Sequence, residues 1–132
     1  MIKKLYRSEF FFFAIVGCMG FLIDSSIFYV LHLKFSYAVS RAISIFVAMT
    51  CNWLANRTFT FKMEKKASHI EWMKYAFINT IGALINYGVF LELTNHYLVM
   101  KTFFIIPMAL ATGVSMWFNF FFSKFYVFKK RA

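Results

Sequence analysis

The sequence predicts an all-α integral membrane protein, in which four transmembrane helices form two parallel helical-hairpin repeats with both termini in the cytoplasm. Three observations support this prediction: an apolar composition, four long apolar segments and a signature that occurs twice. Of the 132 residues, 61% are hydrophobic and only 15% are charged. A soluble domain of this size must cover a large surface with polar groups, and this composition cannot do so.

Four apolar segments are long enough to cross a bilayer as helices. The predicted spans cover residues 10–31, 36–57, 75–94 and 102–124. A helix needs about 20 mostly apolar residues to cross roughly 30 Å of hydrocarbon. The strict alternation of polar and apolar residues that marks a membrane β-barrel strand is absent. We therefore expect residues 1–132 to form a single membrane domain.

The distribution of basic residues predicts the orientation of these spans. Only Lys34, Arg41 and Lys101 belong to the ends that face one side. The other twelve lysines and arginines flank the opposite ends: Lys3, Lys4, Arg7, Arg57, Lys62, Lys65, Lys66, Lys74, Lys124, Lys129, Lys130 and Arg131. Cytoplasmic loops are enriched in these residues, so we place both termini and the central connection in the cytoplasm. The net charge of +10 then faces anionic lipid headgroups rather than nucleic acid.

An eleven-residue signature indicates that the chain is a duplication. Residues 52–62 read Asn-x₃-Asn-Arg-x-Phe-x-Phe-Lys, and residues 119–129, 67 positions later, read Asn-x₃-Ser-Lys-x-Tyr-x-Phe-Lys. Residues 13–24 correspond in the same way to residues 75–86, at an offset of 62 positions. Each unit is thus a hairpin of two spans, and both copies begin on the same side. Such repeats are parallel, related by a pseudo-two-fold axis along the membrane normal.

Small and polar residues recur at helical spacing within the spans. The stripes are Gly17, Gly20 and Asp24 on span 1; Arg41, Ala48, Asn52 and Asn56 on span 2; Asn79, Gly82 and Asn86 on span 3; and Thr112, Ser115, Asn119 and Ser123 on span 4. Small residues allow helices to approach closely and amides hydrogen-bond across them, which explains the glycines and serines. For Asn52 and Asn119, interhelical bonding and the lining of a polar cavity are equally supported.

Two charged positions inside the spans are candidates for function. Asp24 costs about 2.5–3.5 kcal/mol near the bilayer centre and somewhat less toward an interface. Arg41, at the outer start of span 2, is its expected partner across the hairpin, whereas the second repeat carries Asn86 and Met108 at the aligned positions. The pair either fixes the register of the hairpin or binds or gates an anionic cargo. In a third interpretation Asp24 is unpaired and faces water.

The basic residues of the signature have two interpretations as well. Arg57 and Lys124 can anchor the inner helix ends by snorkelling, with the signature aromatics at the interface. Arg57 can also hold a phosphate through its planar fork. His32, His69 and His96 are dispersed and show no metal-ligand spacing. Because no nucleophile elbow, phosphate-cradling glycine loop or carboxylate pair is present, we expect no enzyme activity and no cofactor.

These residues resemble the GtrA-like family of small four-span membrane proteins. The matching features are the Phe-x₂-Val-Gly region at residues 13–17, Asp24 after it, Arg41 at the start of span 2, the block at residues 52–61 and its echo at residues 119–128. The resemblance implies a role in cell-surface polysaccharide synthesis. Family members are thought to move a polyprenyl-phosphate-linked sugar, typically undecaprenyl-phosphate glucose, across the cytoplasmic membrane. The implied partners are membrane glycosyltransferases that make and use this lipid.

The physical chemistry is compatible with that role. The isoprenoid tail can stay in lipid, so a translocase need only offer a polar groove to the phosphate and the sugar hydroxyls. We expect Arg57 to meet the phosphate inside and Arg41 outside, about 24 Å apart along the helix. The candidate substrate-binding residues are Asp24, Arg41, Asn52, Asn56, Arg57, Asn86, Asn119 and Lys124. Four helices offer little protein surface around a pathway for the substrate, which favours a homodimer.

Three alternatives compete with translocation of a lipid-linked sugar, of which the last, a holin-like pore former, has no sign of regulated lysis to support it. A non-transporting accessory subunit would stabilise a membrane glycosyltransferase. A small multidrug-type exporter has about this length, but such transporters centre a glutamate in span 1, whereas here the acid is the off-centre Asp24. Binding to a glycosyltransferase without flipping would favour the first alternative, and proton-coupled drug resistance would favour the second.

Overall fold

The computed structural model describes residues 2–103 and 105–129, with side chains from residue 6 onward. In this part of the chain the regular structure is entirely helical. The helices are α1 (Ile2–His32), α2 (Tyr37–Ala55), α3 (His69–His96), α4 (Leu98–Thr102) and α5 (Ile105–Phe122), with π-helical turns at Asn56–Thr60 and Ser123–Val127. Lys130 and Arg131, which contribute to the predicted orientation, lie outside the described residues, as do the side chains of Lys3 and Lys4.

Four of these helical segments are long and apolar enough to cross a membrane. They are Tyr6–His32, Tyr37–Thr60, His69–His96 and Ile105–Val127. The prediction of an all-α protein with four transmembrane helices is therefore confirmed. The chain divides into two compact units, Met1–Ala67 and Ser68–Ala132, which we call hairpin 1 and hairpin 2. The parallel relation of the hairpins and the cytoplasmic placement of the termini stay predictions.

Hairpin 1 consists of α1 and α2, joined by a four-residue turn at residues 33–36. The backbone amides of Lys34 and Phe35 both donate to the carbonyl of Leu31, at 3.0 and 2.9 Å, and end α1. The hydroxyl of Ser36 accepts from the amide of Val39 and caps the start of α2. This tight turn makes the two helices antiparallel neighbours.

Hairpin 2 consists of α3 and α5, with the single-turn helix α4 in the connection between them. The hydroxyl of Ser68 accepts from the amide of Glu71 at 3.2 Å, and the Glu71 carboxylate lies in the first turn of α3, where a negative charge is favourable. This cap starts α3 ahead of the predicted span. At its other end, Oε1 of Glu92 lies 3.2 Å from Nδ1 of His96, one turn further along the helix, and both side chains are largely exposed.

The two hairpins bury residues at matching positions. On the first helix of each, Phe13 corresponds to Tyr75 and Val16 to Ile78, and all four are buried. The matching buried pairs of the second helix and its π-helical turn are Ser40 and Pro107, Ser44 and Ala111, Ala48 and Ser115, Trp53 and Phe120, Asn56 and Ser123, Thr60 and Val127, and Phe61 and Phe128. The duplicated sequence pattern thus places the same packing positions inside each hairpin.

An aromatic contact closes the same end of both hairpins. The rings of Phe13 and Phe61 lie 6.2 Å apart, and the rings of Tyr75 and Phe128 lie 5.9 Å apart, both in tilted geometry. Because Phe61 and Phe128 follow the π-helical turns, the signature aromatics are packed against the first helix. They were expected at the membrane interface, and these two instead belong to the hairpin cores.

One predicted helix face needs correction. Gly17 is exposed, and a Cβ atom built on it would have no neighbour within 4 Å. The contact face of α1 is instead formed by Phe13, Val16 and Gly20. Gly17 is only about 60° away from Gly20 around the helix, which is enough to miss the partner helix. In α3, Asn79 donates to the carbonyl of Tyr75 at 2.8 Å, within its own helix.

Candidate functional site

An ion pair joins the two helices of hairpin 1 near the turn at residues 33–36. Nη1 of Arg41 on α2 donates to Oδ2 of Asp24 on α1 at 2.6 Å. The guanidinium carbon of Arg41 also lies 5.9 Å from the ring centroid of Phe28, one helical turn beyond Asp24. The partner expected for Asp24 from the sequence is therefore the one that the structure shows.

The two members of this pair differ in exposure. The side chain of Asp24 is 15% exposed, and that of Arg41 is 44% exposed. Oδ1 of Asp24 is buried and has no hydrogen-bond partner among the described residues. The acid is thus sheltered and only half satisfied. Much of the base stays accessible from outside the hairpin, and its planar fork can donate to a second anion.

Hairpin 2 replaces this pair by neutral polar groups. Nδ2 of Asn86 lies 3.3 Å from both Oγ1 of Thr112 and Oγ of Ser115, and joins α3 to α5. Met108, which corresponds to Arg41, is exposed. Thr112 and Ser115 extend the set of candidate residues predicted from the sequence, and their helical spacing with Asn119 is the signal that identifies them. This cluster offers hydrogen bonds but no charge.

The asparagines at the start of each signature pack against a glycine of the facing helix. A Cβ atom on Gly20 would lie 2.5 Å from Cγ of Asn52, and one on Gly82 would lie 2.5 Å from Cγ of Asn119. The carbonyl oxygen of the Asn119 side chain is buried and has no partner in the described residues. Of the two interpretations of these amides, the geometry favours helix packing over the lining of an open cavity.

The first π-helical turn organises the end of hairpin 1 that lies opposite the turn at residues 33–36. Its wide ring is closed by the amide of Phe61, which donates to the carbonyl of Asn56 at 2.9 Å. The Asn56 side chain is buried and accepts a hydrogen bond from Oγ1 of Thr60 at 2.8 Å. Lys62 follows with a φ of 48°, a left-handed conformation that is uncommon outside glycine. The chain therefore turns sharply as it leaves the helix.

The Arg57 side chain stabilises this turn through hydrogen bonds to the loop that follows it. Its side chain is only 8% exposed. Nη1 donates to the carbonyl of Met63 at 3.4 Å, and Nη2 donates to the carbonyl of Lys65. The amide of Met63 in turn donates to the carbonyl of Arg57 at 2.9 Å. A phosphate could use this guanidinium only after the following loop had released it, so the geometry favours a structural role for Arg57.

The second π-helical turn repeats the backbone but not the side-chain contacts. The amide of Phe128 donates to the carbonyl of Ser123 at 2.8 Å, as in the first turn. Val127 stands where Thr60 stands in hairpin 1, and Oγ of the buried Ser123 has no partner in the described residues. Nζ of Lys124 lies 5.9 Å from the ring centroid of Phe120 and is half-buried. The cation of this copy is therefore more accessible than Arg57.

Comparison with known families now identifies the chain. A family model described as the GtrA/DPMS transmembrane domain matches residues 12–131. The chain belongs to this family. A comparison with curated proteins finds no match. Together with the four apolar helices, the GtrA/DPMS domain makes this a multi-pass membrane protein with a function related to polyprenyl-phosphate sugars.

For this GtrA/DPMS chain, the eight candidate residues fall into three arrangements. Asp24 and Arg41 form an accessible ion pair, and Asn86 forms its neutral counterpart in hairpin 2. The remaining five residues lie in the half of each hairpin that contains the π-helical turn: Asn52, Asn56, Arg57, Asn119 and Lys124. No group of three potential metal ligands occurs within the described residues. An accessible guanidinium on apolar helices is suited to bind one anionic headgroup.

Proposed function

We propose that this protein translocates a polyprenyl-phosphate-linked sugar, undecaprenyl-phosphate glucose or a close relative, across the cytoplasmic membrane. The sugar would then serve in the glycosylation of cell-surface polysaccharide. The observation that carries this proposal is the exposed Arg41 guanidinium, paired with Asp24 on otherwise apolar helices. The GtrA/DPMS match supports the substrate class.

The substrate's chemistry matches what the hairpins offer. A phosphodiester resists transfer into hydrocarbon, and a guanidinium can give it two parallel hydrogen bonds. We assign this role to Arg41. In hairpin 2 the amide of Asn86 and the hydroxyl of Thr112 form a neutral link, so the charge that a phosphodiester requires is carried by hairpin 1. The isoprenoid tail needs no protein group, because it stays in lipid.

The inner half of the protein has supporting roles in this proposal. Arg57 and Asn56 fix the π-helical turn of hairpin 1 through their buried hydrogen bonds. Asn52 and Asn119 set the spacing of the helices against their glycines. We assign Lys124 to the first contact with anionic headgroups, since it is less buried than Arg57. This revises the expectation that Arg57 meets the phosphate inside.

The proposal includes partners and a location. Separate membrane glycosyltransferases make the lipid-linked sugar and use it after translocation, so the protein itself needs no catalytic group. We place it in the inner, cytoplasmic membrane, with anionic lipids around its basic ends. A homodimer would give the substrate a wider protein wall than four helices provide.

A flipping assay in proteoliposomes tests this function. The double variant Asp24→Asn/Arg41→Met gives hairpin 1 the residues that hairpin 2 carries at the same positions, so we expect it to fold and insert. Loss of a charge-assisted contact in the rate-limiting state should slow flipping of polyprenyl-phosphate glucose by about 10- to 100-fold. Lys101→Met, which removes an exposed cation from α4, is the matched control and should flip at the wild-type rate.

Three results would contradict the proposal. Flipping by the double variant at the wild-type rate would exclude the ion pair from the pathway. An equal loss in Lys101→Met would mean that positive charge alone matters. A wild-type protein that binds the glycosyltransferase but leaves every sugar inaccessible to impermeant periodate would be a non-transporting accessory subunit.

A further inference from the structure

We propose that binding of the lipid phosphate to Arg41 is coupled to uptake of one proton by Asp24. The inference rests on the proposed function, because it takes a phosphodiester-linked lipid as the ligand of Arg41. It concerns a property that the proposed function does not require: a translocase could bind this phosphate without any proton. The observation that points to proton uptake is Oδ1 of Asp24, which is buried and has no hydrogen-bond partner in the described residues.

The charge balance of the site is the first step. Before binding, the Asp24 carboxylate and the Arg41 guanidinium cancel each other. A phosphodiester brings one negative charge, so the bound site would carry two anions and one cation on apolar helices. Uptake of a proton by the carboxylate restores neutrality, and an uncompensated charge in such surroundings is strongly disfavoured.

The hydrogen bonds of Asp24 are the second step. Oδ2 accepts from Arg41, and Oδ1 is buried with no partner in the described residues. In this proposal Arg41 turns Nη1 from Oδ2 to a phosphate oxygen, and the described residues then give the carboxylate no other hydrogen-bond donor. A proton from the aqueous phase then binds it, forming an O–H bond and a neutral carboxylic acid. When the phosphate leaves, this proton returns to water and Arg41 returns to Oδ2.

His32 and Arg57, two other titratable groups of hairpin 1, have contacts away from Asp24. His32, two turns further along α1, stacks on Phe28 at 5.4 Å and meets the ring of Tyr37 on α2 at 5.8 Å. The π-helical turn packs against α1 as well, but its cation, Arg57, is bound to loop carbonyls at the other end of the hairpin. Arg41 is therefore the charged partner that faces Asp24 from α2.

The second hairpin shows which substitution isolates the effect. At the position of Asp24 it carries Asn86, which hydrogen-bonds across the hairpin without a charge. An amide is hence compatible with this place in the fold. Asp24→Asn mimics the protonated acid in shape and charge, and leaves Arg41 without an internal anion to compete with the phosphate.

Isothermal titration of the purified full-length protein in detergent tests the inference directly. The probe is farnesyl-phosphate-linked glucose, titrated in two buffers with different heats of ionisation, so that the heat difference counts the protons. We expect uptake of about one proton per bound probe for the wild type and none for Asp24→Asn. Because one proton is taken up with each bound probe in this proposal, wild-type affinity should rise about tenfold per unit fall in pH.

Two controls make the result specific. Glu92→Gln removes a carboxylate that is 74% exposed on α3, and should take up the same proton as the wild type. A farnesyl glucoside without phosphate should cause no uptake with any variant, because it brings no negative charge. Asp24→Asn should bind the phosphate probe at least as tightly as the wild type at neutral pH.

The outcomes separate this inference from the proposed function. Binding without proton uptake by the wild type, or equal uptake by Asp24→Asn, would overturn the coupling and leave the lipid-phosphate substrate intact. If the wild type neither binds the probe nor flips the lipid, the substrate class is wrong and the coupling falls with it. Uptake that is lost only in Asp24→Asn supports the proposal.

Discussion

Gly20→Ala should destabilise hairpin 1, although alanine favours the helix. A Cβ atom at this position would lie 2.5 Å from Cγ of Asn52, well inside van der Waals contact, and nearer still to the two amide heavy atoms. Overpacking of this kind costs about 1–3 kcal/mol. The gain in helix propensity offsets at most about 1 kcal/mol of it. We expect a net loss of about 1–2 kcal/mol.

The same helix supplies a matched control. Gly17 lies three residues earlier on α1, is exposed, and has no neighbour within 4 Å of a Cβ atom. Gly17→Ala should therefore leave stability unchanged or raise it slightly. Denaturation by sodium dodecyl sulfate in mixed micelles, followed by tryptophan fluorescence, gives the free energy of unfolding for each variant. Trp53, buried on α2, reports on this hairpin.

A double-mutant cycle identifies the cause of the loss. Asn52→Ala removes the amide that occupies the space beside Gly20, so Gly20→Ala should cost less in that background than in the wild type. The coupling between the two sites should be about 1 kcal/mol or more, as for residues in direct contact. Equal effects of Gly20→Ala and Gly17→Ala, or a cycle with no coupling, would refute the packing of these helices as described.

Three further changes follow from the same contacts, each measured by the same unfolding assay. Arg41→Met alone should cost about 1–3 kcal/mol, because it leaves Asp24 without its donor, and Asp24→Asn in the same chain should restore most of that loss. Arg57→Lys should increase the mobility of the loop at residues 62–66, because an ammonium group cannot reach both loop carbonyls that Arg57 binds. Faster proteolysis within this loop would show the effect, and unchanged cleavage would contradict the contact. Thr60→Val should cost about 1 kcal/mol by removing the hydrogen bond from Oγ1 of Thr60 to Oδ1 of the buried Asn56. Asn56→Ser added to it should recover stability by recreating the pattern of hairpin 2; no recovery would mean that the two turns are not interchangeable.

Much of the fold could be predicted because hydrophobic length and charge leave few choices. Four apolar segments in a chain of 132 residues specify four helices, and Arg41 is the cation of the second span at the same end as Asp24, whereas Lys34 lies in the connection. The start of α3 could have been predicted from a capping motif, although this motif lies before the apolar segment at residues 75–94. Ser68 and Glu71 have the Ser-x-x-Glu spacing of a capping box, which places the helix start at His69.

Other features could not be predicted, for physical reasons. Gly17 and Gly20 differ by only about 60° around α1, and a spacing rule cannot tell which of them meets the partner helix. The π-helical turns have no composition that distinguishes them from α-helix, since the extra residue is accommodated by packing after the helix ends. The carbonyl partners of Arg57 depend on the path of the loop that follows, which this turn itself sets.

The two hairpins bury matching positions, and they differ in the charge of the polar link between their helices. Phe61 and Phe128, or Val16 and Ile78, preserve the same buried contacts in both copies. A charged link, Asp24 with Arg41, joins the two helices of hairpin 1. An uncharged link, Asn86 with Thr112, joins the two helices of hairpin 2. A neutral link is sufficient to hold a hairpin, as hairpin 2 demonstrates. A charged link is therefore not required at this place in the fold, and this supports the proposal that the accessible guanidinium of Arg41 binds an anion.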